Sequence, residues 1–364
     1  MTAQAWPLGP DATIGILGGG QLGRMLVLAA ARLGFRCHVF CPDSHSPAFD
    51  VVRSVTEADY LDMAALDRFA ADVDVVTYEF ENVPAETATF LSARRPVLPD
   101  PRVLATTQDR LTEKEFVTSL GIETAKFARV DSGDGLTAAL AAVGKPAVLK
   151  TRRFGYDGKG QIMIRDGADP RMFDELGGQA QILEAFVPFE REISVVAARG
   201  RDGAIECFDV TENEHEDHIL KTSRVPANVT PGVAAEARRI AEKIAEAFDY
   251  VGVLAVEMFV VKDGGGHAVL VNEIAPRVHN SGHWTIDGAS VSQFEQHIRA
   301  VAGLSLAKPI RRGRIEMLNL LGDDVKDTPK WLSTPGAAVH LYGKSAVRPG
   351  RKMGHVTQVF AENG

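Results

Sequence analysis

The chain has 364 residues, 45% of them hydrophobic and 24% charged, which is the balance of a globular protein with roughly two or three domains. Its formal net charge of -8 gives no electrostatic reason to expect nucleic-acid binding. No apolar run is long enough to cross a bilayer and no secretory signal pattern opens the chain, so we expect no membrane partner. Three cysteines (Cys37, Cys41 and Cys207) cannot form a disulfide framework, and we therefore expect a cytoplasmic location.

Strands and helices alternate from residue 12 to residue 105, a pattern that predicts a domain with a parallel, doubly wound sheet. The expected order is strand, helix, strand, a short helical stretch, strand and helix, and the longer elements are TIGIL, QLGRMLVLAAARLG, RCHVF, VDVVTYEF and PAETATFLSA. The proline-rich segment RPVLPDP then marks a domain boundary, since each proline removes a backbone donor. Residues 1–11 are expected to form a disordered extension.

A glycine-rich turn joins the first predicted strand to the first helix. Gly18-x-Gly20-x-x-Gly23 in this context is the fingerprint of dinucleotide-binding proteins, and the helix N-terminus that it opens suits a phosphate. Asp43 lies twenty positions beyond Gly23, where such proteins carry an acidic residue for the ribose. The turn therefore predicts a phosphate, which a nicotinamide cofactor or another phosphorylated compound could supply.

The rest of the chain predicts a central domain over 106–302 and a C-terminal domain over 303–364. A helix in QDRLTEKEFVTSLG is expected to end at Gly121. Residues 122–186 predict a small α+β unit with short strands and two short helices, and longer strands with the helix VAAEARRIAEKIAEAF follow. The C-terminal segment is rich in glycine, proline and basic residues.

Two apolar strands flank Gly264-Gly265-Gly266 and predict a hairpin with a three-residue loop. A turn centred on the middle glycine would pair Val261 with Val269 and Glu257 with Glu273. Glutamates opposed in this way have Cβ atoms roughly 5 Å apart and repel each other unless a cation lies between them. Mg²⁺ characteristically takes one or two carboxylates together with substrate phosphates. The pair predicts a magnesium site, unless the register slips by one residue and one glutamate faces solvent.

A lysine and a glycine-rich loop lie upstream of this hairpin. Lys150 ends the apolar strand PAVLK, and RRFGYDGKGQ follows with glycines at 155, 158 and 160. Such a loop lets backbone N–H groups approach a polyphosphate closely, because no side chains intervene. Taken alone, the lysine is typical of a solvated strand end and the loop of a flexible hairpin. Together with the opposed glutamates they predict a nucleotide–metal site.

The chain resembles the ATP-grasp ligases, and within them the N5-carboxyaminoimidazole ribonucleotide synthetases of purine biosynthesis. The resemblance is carried by GGGQLGRM, YEFENVP, QDRLTEKEF, KTRRFGYDGKGQ, EAFVPFEREIS, NEIAPRVHNSGHWT and VRPGRKMGH, which together run from residue 18 to residue 355. It implies a mixed α/β and α+β fold: a Rossmann-like N-terminal domain, an ATP-grasp body with a mobile lid over about 122–186, and a small C-terminal domain. The family tends to be homodimeric, so we expect a homodimer.

The resemblance also implies where ATP and Mg²⁺ would bind. The ATP-binding positions fall on Arg110, Lys150, Gly155, Tyr156, Asp157, Gly158, Lys159, Gly160, Gln161, Glu184, Ala185, Phe186, Val187, Glu192, His215, Asn272 and Glu273. Glu184 to Val187 would contact adenine, Glu192 the ribose, and Glu257 with Glu273 would hold Mg²⁺. Many ATP-grasp enzymes carry an asparagine two residues after the second glutamate, where this chain has Ala275. Asn272 is expected to point to the other face, because side chains alternate along a strand.

The implied reaction is a ligation with three substrates. ATP would phosphorylate bicarbonate to carboxyphosphate, and the exocyclic amine of aminoimidazole ribonucleotide would capture the CO₂ that this releases. The products are N5-carboxyaminoimidazole ribonucleotide, ADP and phosphate. Arg277, His279 and Lys352 are the candidates for bicarbonate and the transferred phosphoryl group, whereas His283 is equally well explained as a structural histidine.

The ribonucleotide would be bound by residues from both ends of the chain. The candidates are Gly20, Gln21 and Leu22 for its phosphate, Glu79 for its ribose, Tyr156 for its imidazole, and Arg351 with Lys352 in RPGRKMGH. Glu81 competes with Glu79, Asp157 would accompany Tyr156, and Arg351 and Lys352 could equally be a solvated loop.

Three other functions compete with this one. An NAD(P)-dependent oxidoreductase would account for the fingerprint and Asp43, but it leaves the lid loop and the glutamate hairpin unassigned, and we expect no NAD. Another ATP-grasp ligase is opposed only by NEIAPRVHNSGHWT and RPGRKMGH. A nucleotide-sensing module would have replaced the metal carboxylates, and both are present.

Overall fold

The structure, a computed structural model, describes residues 5–155 and 158–361. Within these ranges no helix has the length and apolar character needed to span a membrane.

The N-terminal unit is a parallel sheet with helices against it, as predicted. Its elements are β1 (Thr13–Leu17), α1 (Gln21–Arg32), β2 (Arg36–Cys41), β3 (Ser54–Glu57), α2 (Met63–Ala71), β4 (Val75–Tyr78) and α3 (Ala85–Ser92). The strand order is β3-β2-β1-β4, and all pairs are parallel. The short helical stretch expected between β2 and β4 is α2, whereas the strand β3 was not predicted. This edge strand has three exposed residues of four, so it lacks the alternation that identifies a half-buried strand.

Trp6 and Leu8 pack against the body, although residues 1–11 were predicted to form a disordered extension. Leu8 is buried, and its backbone N–H donates to the Ala302 carbonyl at 2.9 Å. The Arg201 guanidinium lies 3.8 Å from the centre of the Trp6 ring. Residues 1–4 lie outside the described ranges.

Two short helices link the N-terminal unit to the rest of the chain. They are α4 (Pro101–Thr107) and α5 (Arg110–Ser119), and the predicted boundary at residues 105 and 106 falls inside α4. The side chains of Asp100 and Asp109 cap the two N-termini, which fixes where each helix begins. Gly121 follows α5 with φ of 69°, the left-handed conformation that glycine adopts without strain.

The predicted lid is a separate antiparallel sheet with two helices. Its elements are β5 (Phe127–Val130), α6 (Gly133–Val143), β6 (Ala147–Thr151), β7 (Gln161–Ile164), α7 (Arg171–Glu175) and β8 (Gln181–Ala185). The strand order is β5-β8-β6-β7. The lid has its own small hydrophobic core, in which Leu136 and Leu140 of α6 pack against Leu149 and Leu183 of the sheet.

The remaining elements form a large antiparallel sheet and the helices that cover it. They are β9 (Arg191–Arg199), β10 (Ile205–Cys207), β11 (Thr211–Glu216), β12 (Ile219–Val225), α8 (Pro231–Ala247), β13 (Gly252–Asp263), β14 (Gly266–Ala275), α9 (Thr285–Gly288), α10 (Gln293–Val301), β15 (Arg314–Leu321), α11 (Thr328–Leu332), β16 (Ala337–Leu341) and β17 (Lys352–Phe360). The main strand order is β14-β13-β9-β11-β12-β15-β17-β16. The C-terminal strands therefore extend the central sheet.

One continuous hydrophobic core joins the N-terminal unit to the body. Leu26 of α1 belongs to the same buried cluster as Phe294 and Ile298 of α10. A buried hydrogen bond of 2.8 Å between Thr77 Oγ1 and His297 Nε2 crosses the same boundary. The glycine-rich turn before α1 is thereby held in a fixed position relative to the large sheet.

Candidate active site

A cavity of about 2330 Å³ lies between the N-terminal unit, the lid and the large sheet. Each of these three parts supplies residues to its wall. The glycine-rich turn with Glu79 lines one end, Lys150 and Glu184 of the lid line another, and Glu257 and Glu273 project from the large sheet. The cavity brings together most of the residues that the sequence singled out, although they come from distant parts of the chain.

The β13–β14 hairpin pairs Glu257 with Glu273, as the sequence predicted. The predicted turn is wrong, however, because Asp263 pairs with Gly266 and only two glycines form the loop. Val269 accordingly lies opposite Val260 rather than Val261. An irregularity between Glu257 and Met258 then shifts the register by one residue and restores the opposition of the two glutamates.

That irregularity is a β-bulge, and its extra residue is Asn272. Glu257 pairs with Glu273 and Met258 with Val271, so Asn272 has no counterpart on β13. Asn272 was expected to point away from Glu273; both residues contribute to the cavity wall. The expectation assumed an uninterrupted strand, and a bulge breaks the alternation of side chains.

The two glutamates differ in their electrostatic surroundings. Burial raises the pKa of Glu257 and the neighbouring Glu273 raises it further, whereas His215 and Lys352 act in the opposite direction. Burial also opposes ionisation of Glu273, but Arg110, Lys150 and Arg277 together outweigh it and lower the pKa of that carboxyl. The Arg110 Nη1 atom lies 3.1 Å from Glu273 Oε2. Arg110 therefore compensates the charge of Glu273, whereas Glu257 keeps its unfavourable interaction with Glu273.

Three cations surround the buried carboxylate of Glu184. Lys150 Nζ lies 3.2 Å and Lys114 Nζ 3.3 Å from its Oε2 atom. Burial opposes ionisation, yet Lys114, Lys150 and Arg110 together lower the pKa of Glu184 to about 2. Among the described residues its Oε1 atom is buried without a hydrogen-bond partner, which leaves an acceptor for a ligand.

Lys114 was not among the predicted site residues. Its ammonium group also donates to the Asn272 carbonyl at 3.1 Å, and its side chain is buried. Arg110, Glu113, Lys114 and Val117 are spaced to share one face of α5, so the charged residues continue the face that carries a buried valine. Charges on an otherwise buried helix face are the signal that could have identified it.

Glu113, on the same face of α5, is fully buried. Its Oε2 atom accepts from the Ile274 backbone N–H at 3.2 Å. Burial, reinforced by Glu273, raises the pKa of Glu113 to about 8. This contact ties α5 to β14 directly beside the bulge.

The lid residues surround the remaining side of the cavity. The lining includes Gly155, Gly158, Lys159, Gln161, Glu184, Ala185, Phe186 and Val187. Arg110 Nη2 donates to the Gly155 carbonyl at 3.3 Å, so the guanidinium joins the lid loop to Glu273. Gly160 has φ of 73°, and an added Cβ would lie 2.6 Å from Thr151 Oγ1. Tyr156 and Asp157 lie outside the described residues.

Glu192 and His215 form a close pair at the cavity wall. The Nδ1 atom of His215 lies 2.5 Å from Glu192 Oε2. Burial alone would lower the pKa of His215, but the contact with Glu192 raises it.

Arg277, His279 and Lys352 line the same cavity as the glutamate pair and the glycine-rich turn. Arg277 Nη2 lies 2.7 Å from Glu81 Oε2, which ties this arginine to the N-terminal unit. His279 Nε2 lies 3.4 Å from Glu257 Oε1. Burial lowers the pKa of His279 well below its ordinary value, and Arg277 and Lys352 add to the shift.

The structure fits both interpretations of His283, as a residue of the site and as a structural histidine. It lines the cavity, but it is almost completely buried and its Nδ1 atom accepts from Gln293 Nε2 at 3.0 Å. This contact ties it to α10.

The glycine-rich turn holds the carboxylate of Glu79. The Gly20 backbone N–H donates to Glu79 Oε1 at 2.7 Å, and a Cβ at Gly18 or Gly20 would lie within 2.8 Å of that carboxylate. Burial raises the pKa of Glu79, while Gly20 and Arg277 oppose the shift. The N-terminus of α1 thus already faces an anion that belongs to the protein. Gln21 and Leu22 line the cavity next to it.

Basic residues from the C-terminal loop line the cavity near this turn. Lys344, Arg348, Arg351 and Lys352 all contribute to the wall. Lys344 Nζ donates to the Lys352 carbonyl and Arg351 Nη1 to the Ala346 carbonyl, both at 2.7 Å, so the loop is folded onto itself. Lys344 and Arg348 were not predicted; the signal was their place in the same basic, glycine-containing segment as Arg351.

Comparison with known proteins agrees with this architecture. Three family models match: a ribonucleotide synthetase preATP-grasp domain over 11–108, an ATP-grasp domain over 115–294, and a phosphoribosylaminoimidazole carboxylase C-terminal domain over 316–363. The N5-carboxyaminoimidazole ribonucleotide synthase of Brucella melitensis is 50% identical over 97% of each chain. The chain belongs to the N5-carboxyaminoimidazole ribonucleotide synthase family. It is an ATP-dependent ligase, and the oxidoreductase alternative is wrong.

Solved structures of the N5-carboxyaminoimidazole ribonucleotide synthase family have the same fold. The enzyme from Thermus thermophilus has a TM-score of 0.88 and 46% identity, and the match covers 95% of this chain and 93% of that one. The Aspergillus clavatus enzyme, solved with ADP and 5-aminoimidazole ribonucleotide, has a TM-score of 0.89 and 31% identity, with 97% and 95% covered. The Rossmann-like, ATP-grasp and C-terminal parts predicted from the sequence are confirmed.

Replacing Lys114 by methionine tests the buried ion pairs. Removing one partner of a buried pair costs about 3–5 kcal/mol of the free energy of unfolding, because the other charge loses its compensation. Lys326→Met is the matched control: Lys326 pairs with Asp323 at 3.0 Å, but both side chains are more than 70% exposed. The control should cost less than about 1 kcal/mol. Urea denaturation measures both, and equal losses would contradict the importance of the Lys114–Glu184 contact.

Proposed function

We propose that the chain converts 5-aminoimidazole ribonucleotide, ATP and bicarbonate into N5-carboxyaminoimidazole ribonucleotide, ADP and phosphate, as part of purine biosynthesis. The observation that carries the proposal is the single cavity that contains Glu79, Arg277, His279 and the Glu257–Glu273 pair. One chamber can then hold a nucleotide, a small anion and a ribonucleotide in contact. Positioning of this kind supplies much of the catalysis when the protein forms no covalent bond to the substrates.

ATP lies between the lid and the large sheet. Glu184, with its unpartnered Oε1 atom, accepts from the adenine amino group, and Ala185 to Val187 lie against the ring. Lys150 and Arg110 meet the phosphates, together with the backbone of the loop from Gly155 to Gln161, and Glu192 and His215 contact the ribose.

Mg²⁺ is held by Glu257 and Glu273. Within the described residues, no group of three or more His, Cys, Asp or Glu side chains could hold a metal ion by itself. Two opposed carboxylates nevertheless fit Mg²⁺, which keeps positions for phosphate oxygens and water. Burial, together with repulsion from Glu273, raises the pKa of Glu257, and a divalent cation at the pair would stabilise the ionised carboxylate against both. The bulge brings Asn272 to the same cavity, so its amide oxygen is a further candidate ligand. Bound Mg²⁺ would neutralise charge that develops on the transferred phosphoryl group.

The ribonucleotide lies between the N-terminal unit and the C-terminal loop. Glu79 accepts from ribose hydroxyl groups, because its carboxylate is fixed by Gly20 at the edge of the cavity. The sequence offered two places for the phosphate, the turn with Gly20, Gln21 and Leu22 and the basic segment with Arg351 and Lys352. We assign the phosphate to the basic segment, with Lys344 and Arg351. A phosphate on that turn would meet the Glu79 carboxylate, whereas the basic loop offers opposite charge. Tyr156 stays a candidate for the imidazole contact.

Bicarbonate lies between the two nucleotides, against Arg277, His279 and Lys352. One bicarbonate oxygen attacks the γ-phosphorus of ATP, ADP leaves, and carboxyphosphate forms. The carboxyphosphate C–O bond then breaks, which gives CO₂ and inorganic phosphate, and the exocyclic amine adds to the carbon and loses a proton. Arg277 and Lys352 neutralise the anions, and the ring of His279 contributes a hydrogen bond.

The cellular location and the oligomeric state of the enzyme are inferred from composition and from the family. We propose a cytoplasmic homodimer; the cytoplasmic location is supported by the free thiols of Cys37, Cys41 and Cys207.

ADP release, with each substrate omitted in turn, tests the activity. Full turnover should require ATP, bicarbonate and the ribonucleotide together. Glu273→Gln keeps the shape of the side chain and removes its charge. This variant should reduce turnover by at least about a hundredfold. Rapid ADP formation that needs neither bicarbonate nor the ribonucleotide would refute the proposal.

The pH dependence of Mg²⁺ binding follows from the Glu257 shift. Its pKa is raised to about 7 by burial and by Glu273, so the carboxyl is largely protonated below that pH and must lose its proton to bind a cation. Affinity should therefore fall about tenfold per pH unit below this pKa and level off above it. Calorimetry in two buffers of different ionisation enthalpy measures the released proton. Glu257→Gln should release none, and proton release that is equal on both sides of the pKa would contradict the account.

A further inference from the structure

A row of buried polar side chains crosses the large sheet beneath His279. Ser223 of β12, Asn213 of β11 and Ser194 of β9 lie on adjacent strands, and Ser281 follows His279 in a short 3₁₀ turn. All four side chains are buried. None of the four has a role in the proposed reaction steps, so their hydrogen bonds serve another purpose.

The hydrogen bonds in this row run in one direction. Ser223 Oγ donates to Asn213 Oδ1 at 2.9 Å, and Asn213 Nδ2 donates to Ser194 Oγ at 2.9 Å. Ser194 Oγ donates to Ser281 Oγ at 2.8 Å. Because the Asn213 amide has one donating and one accepting end, it sets the direction in which every hydroxyl proton points. The hydroxyl proton of Ser281 is then left for His279 Nδ1, which lies 2.9 Å away.

A second donor to the same ring nitrogen does not depend on the row. The Ser281 backbone N–H also points at His279 Nδ1, at 3.3 Å, and a backbone amide can only donate. If the row ran the other way, Nδ1 would have to carry a proton, and that proton would face the amide hydrogen. The backbone and the side-chain row therefore agree that Nδ1 accepts.

The position of the ring is fixed from its backbone as well. The Gln293 side chain accepts from the His279 N–H at 2.9 Å and donates to the His279 carbonyl at 2.7 Å. With Nδ1 held by Ser281, the Nε2 atom is directed at Glu257 Oε1, 3.4 Å away. Because Nδ1 accepts from Ser281, the ring carries its proton on Nε2, on the side that faces the cavity.

We propose that the row Ser223–Asn213–Ser194–Ser281 holds His279 with Nδ1 as a hydrogen-bond acceptor and the ring proton on Nε2, so that this residue donates a hydrogen bond into the cavity and does not act as a proton acceptor. Ser281, Ser194 and Asn213 are positioning residues, because they act through the ring. The consequence for catalysis rests on the proposed function: a donor suits an oxygen that gains negative charge, such as one of bicarbonate or carboxyphosphate. The tautomer itself does not depend on which reaction occurs.

Nitrogen-15 NMR of the full-length protein without ligands, at mildly alkaline pH, reads the tautomer directly. The resonances are assigned by their loss in His279→Gln. The expected spectrum has a protonated Nε2 and an unprotonated Nδ1 for His279. A protonated Nδ1, or a ring that averages between the two forms, would overturn the proposal whether or not the enzyme has the proposed activity.

Ser281→Ala tests the part played by the row, since it keeps the backbone donor and removes the hydroxyl. We expect a measurable Nδ1–H population and a kcat lowered by about fivefold, the effect of one hydrogen bond, with the KM for ATP unchanged. Ser281→Thr, which keeps a hydroxyl group, should restore the wild-type spectrum. Ser333→Ala, at an exposed serine, is the matched control and should change neither. An unchanged tautomer and kcat in Ser281→Ala would contradict the proposed role of the row.

Discussion

Two carboxylates face each other across the β13–β14 hairpin, and the arrangement of the surrounding charges depends on this repulsive contact. Arg110 compensates Glu273 from one side and joins it to the lid loop through the Gly155 carbonyl. Lys114 joins the neighbouring Asn272 carbonyl to Glu184. Glu257 has no comparable partner among the described carboxylate contacts beyond His279, and its pKa is raised. The uncompensated half of the pair is where a divalent cation would contribute most, because it would replace repulsion by attraction.

The site also depends on how the N-terminal unit is attached to the body. The shared core around α1 and α10 is the rigid connection, and the contact between Arg277 and Glu81 extends it to the cavity wall. Glu79 is held against the glycine-rich turn, where the glycines leave room for its carboxylate. The same turn that suggests a dinucleotide fingerprint therefore serves here to position an acidic side chain. Three parts of the chain with different topologies can then contribute to one chamber.

The fold was largely predictable because its elements have strong periodic patterns and specific motifs. The alternation of β1, α1, β2 and β4, the helix α8 and the strands β13 and β14 are all visible in the sequence. The opposition of Glu257 and Glu273 was predicted correctly from a turn that was wrong by one residue, since the bulge at Asn272 cancelled the error. A bulge is a local backbone feature without a side-chain period, and strand patterns cannot reveal it.

What the sequence missed depends on contacts between distant segments. The burial of Lys114 requires Glu184, which is seventy positions away, and the packing of Leu8 requires Ala302. The short exposed strand β3 has no apolar alternation. The row of polar residues beneath His279 is assembled from three strands and a turn, none of which carries a recognisable motif. Such sites become visible only when the sheet order is known.

The central claim is that ATP activates bicarbonate within this cavity, and oxygen isotope transfer tests it most directly. Turnover with ¹⁸O-labelled bicarbonate, unlabelled water and the ribonucleotide should place one labelled oxygen in the inorganic phosphate, because the bicarbonate oxygen that attacks phosphorus stays on it when the C–O bond breaks. Phosphate analysed by mass spectrometry or by its ³¹P isotope shift gives the answer. Phosphate without the label, formed at the rate of N5-carboxyaminoimidazole ribonucleotide, would contradict the account.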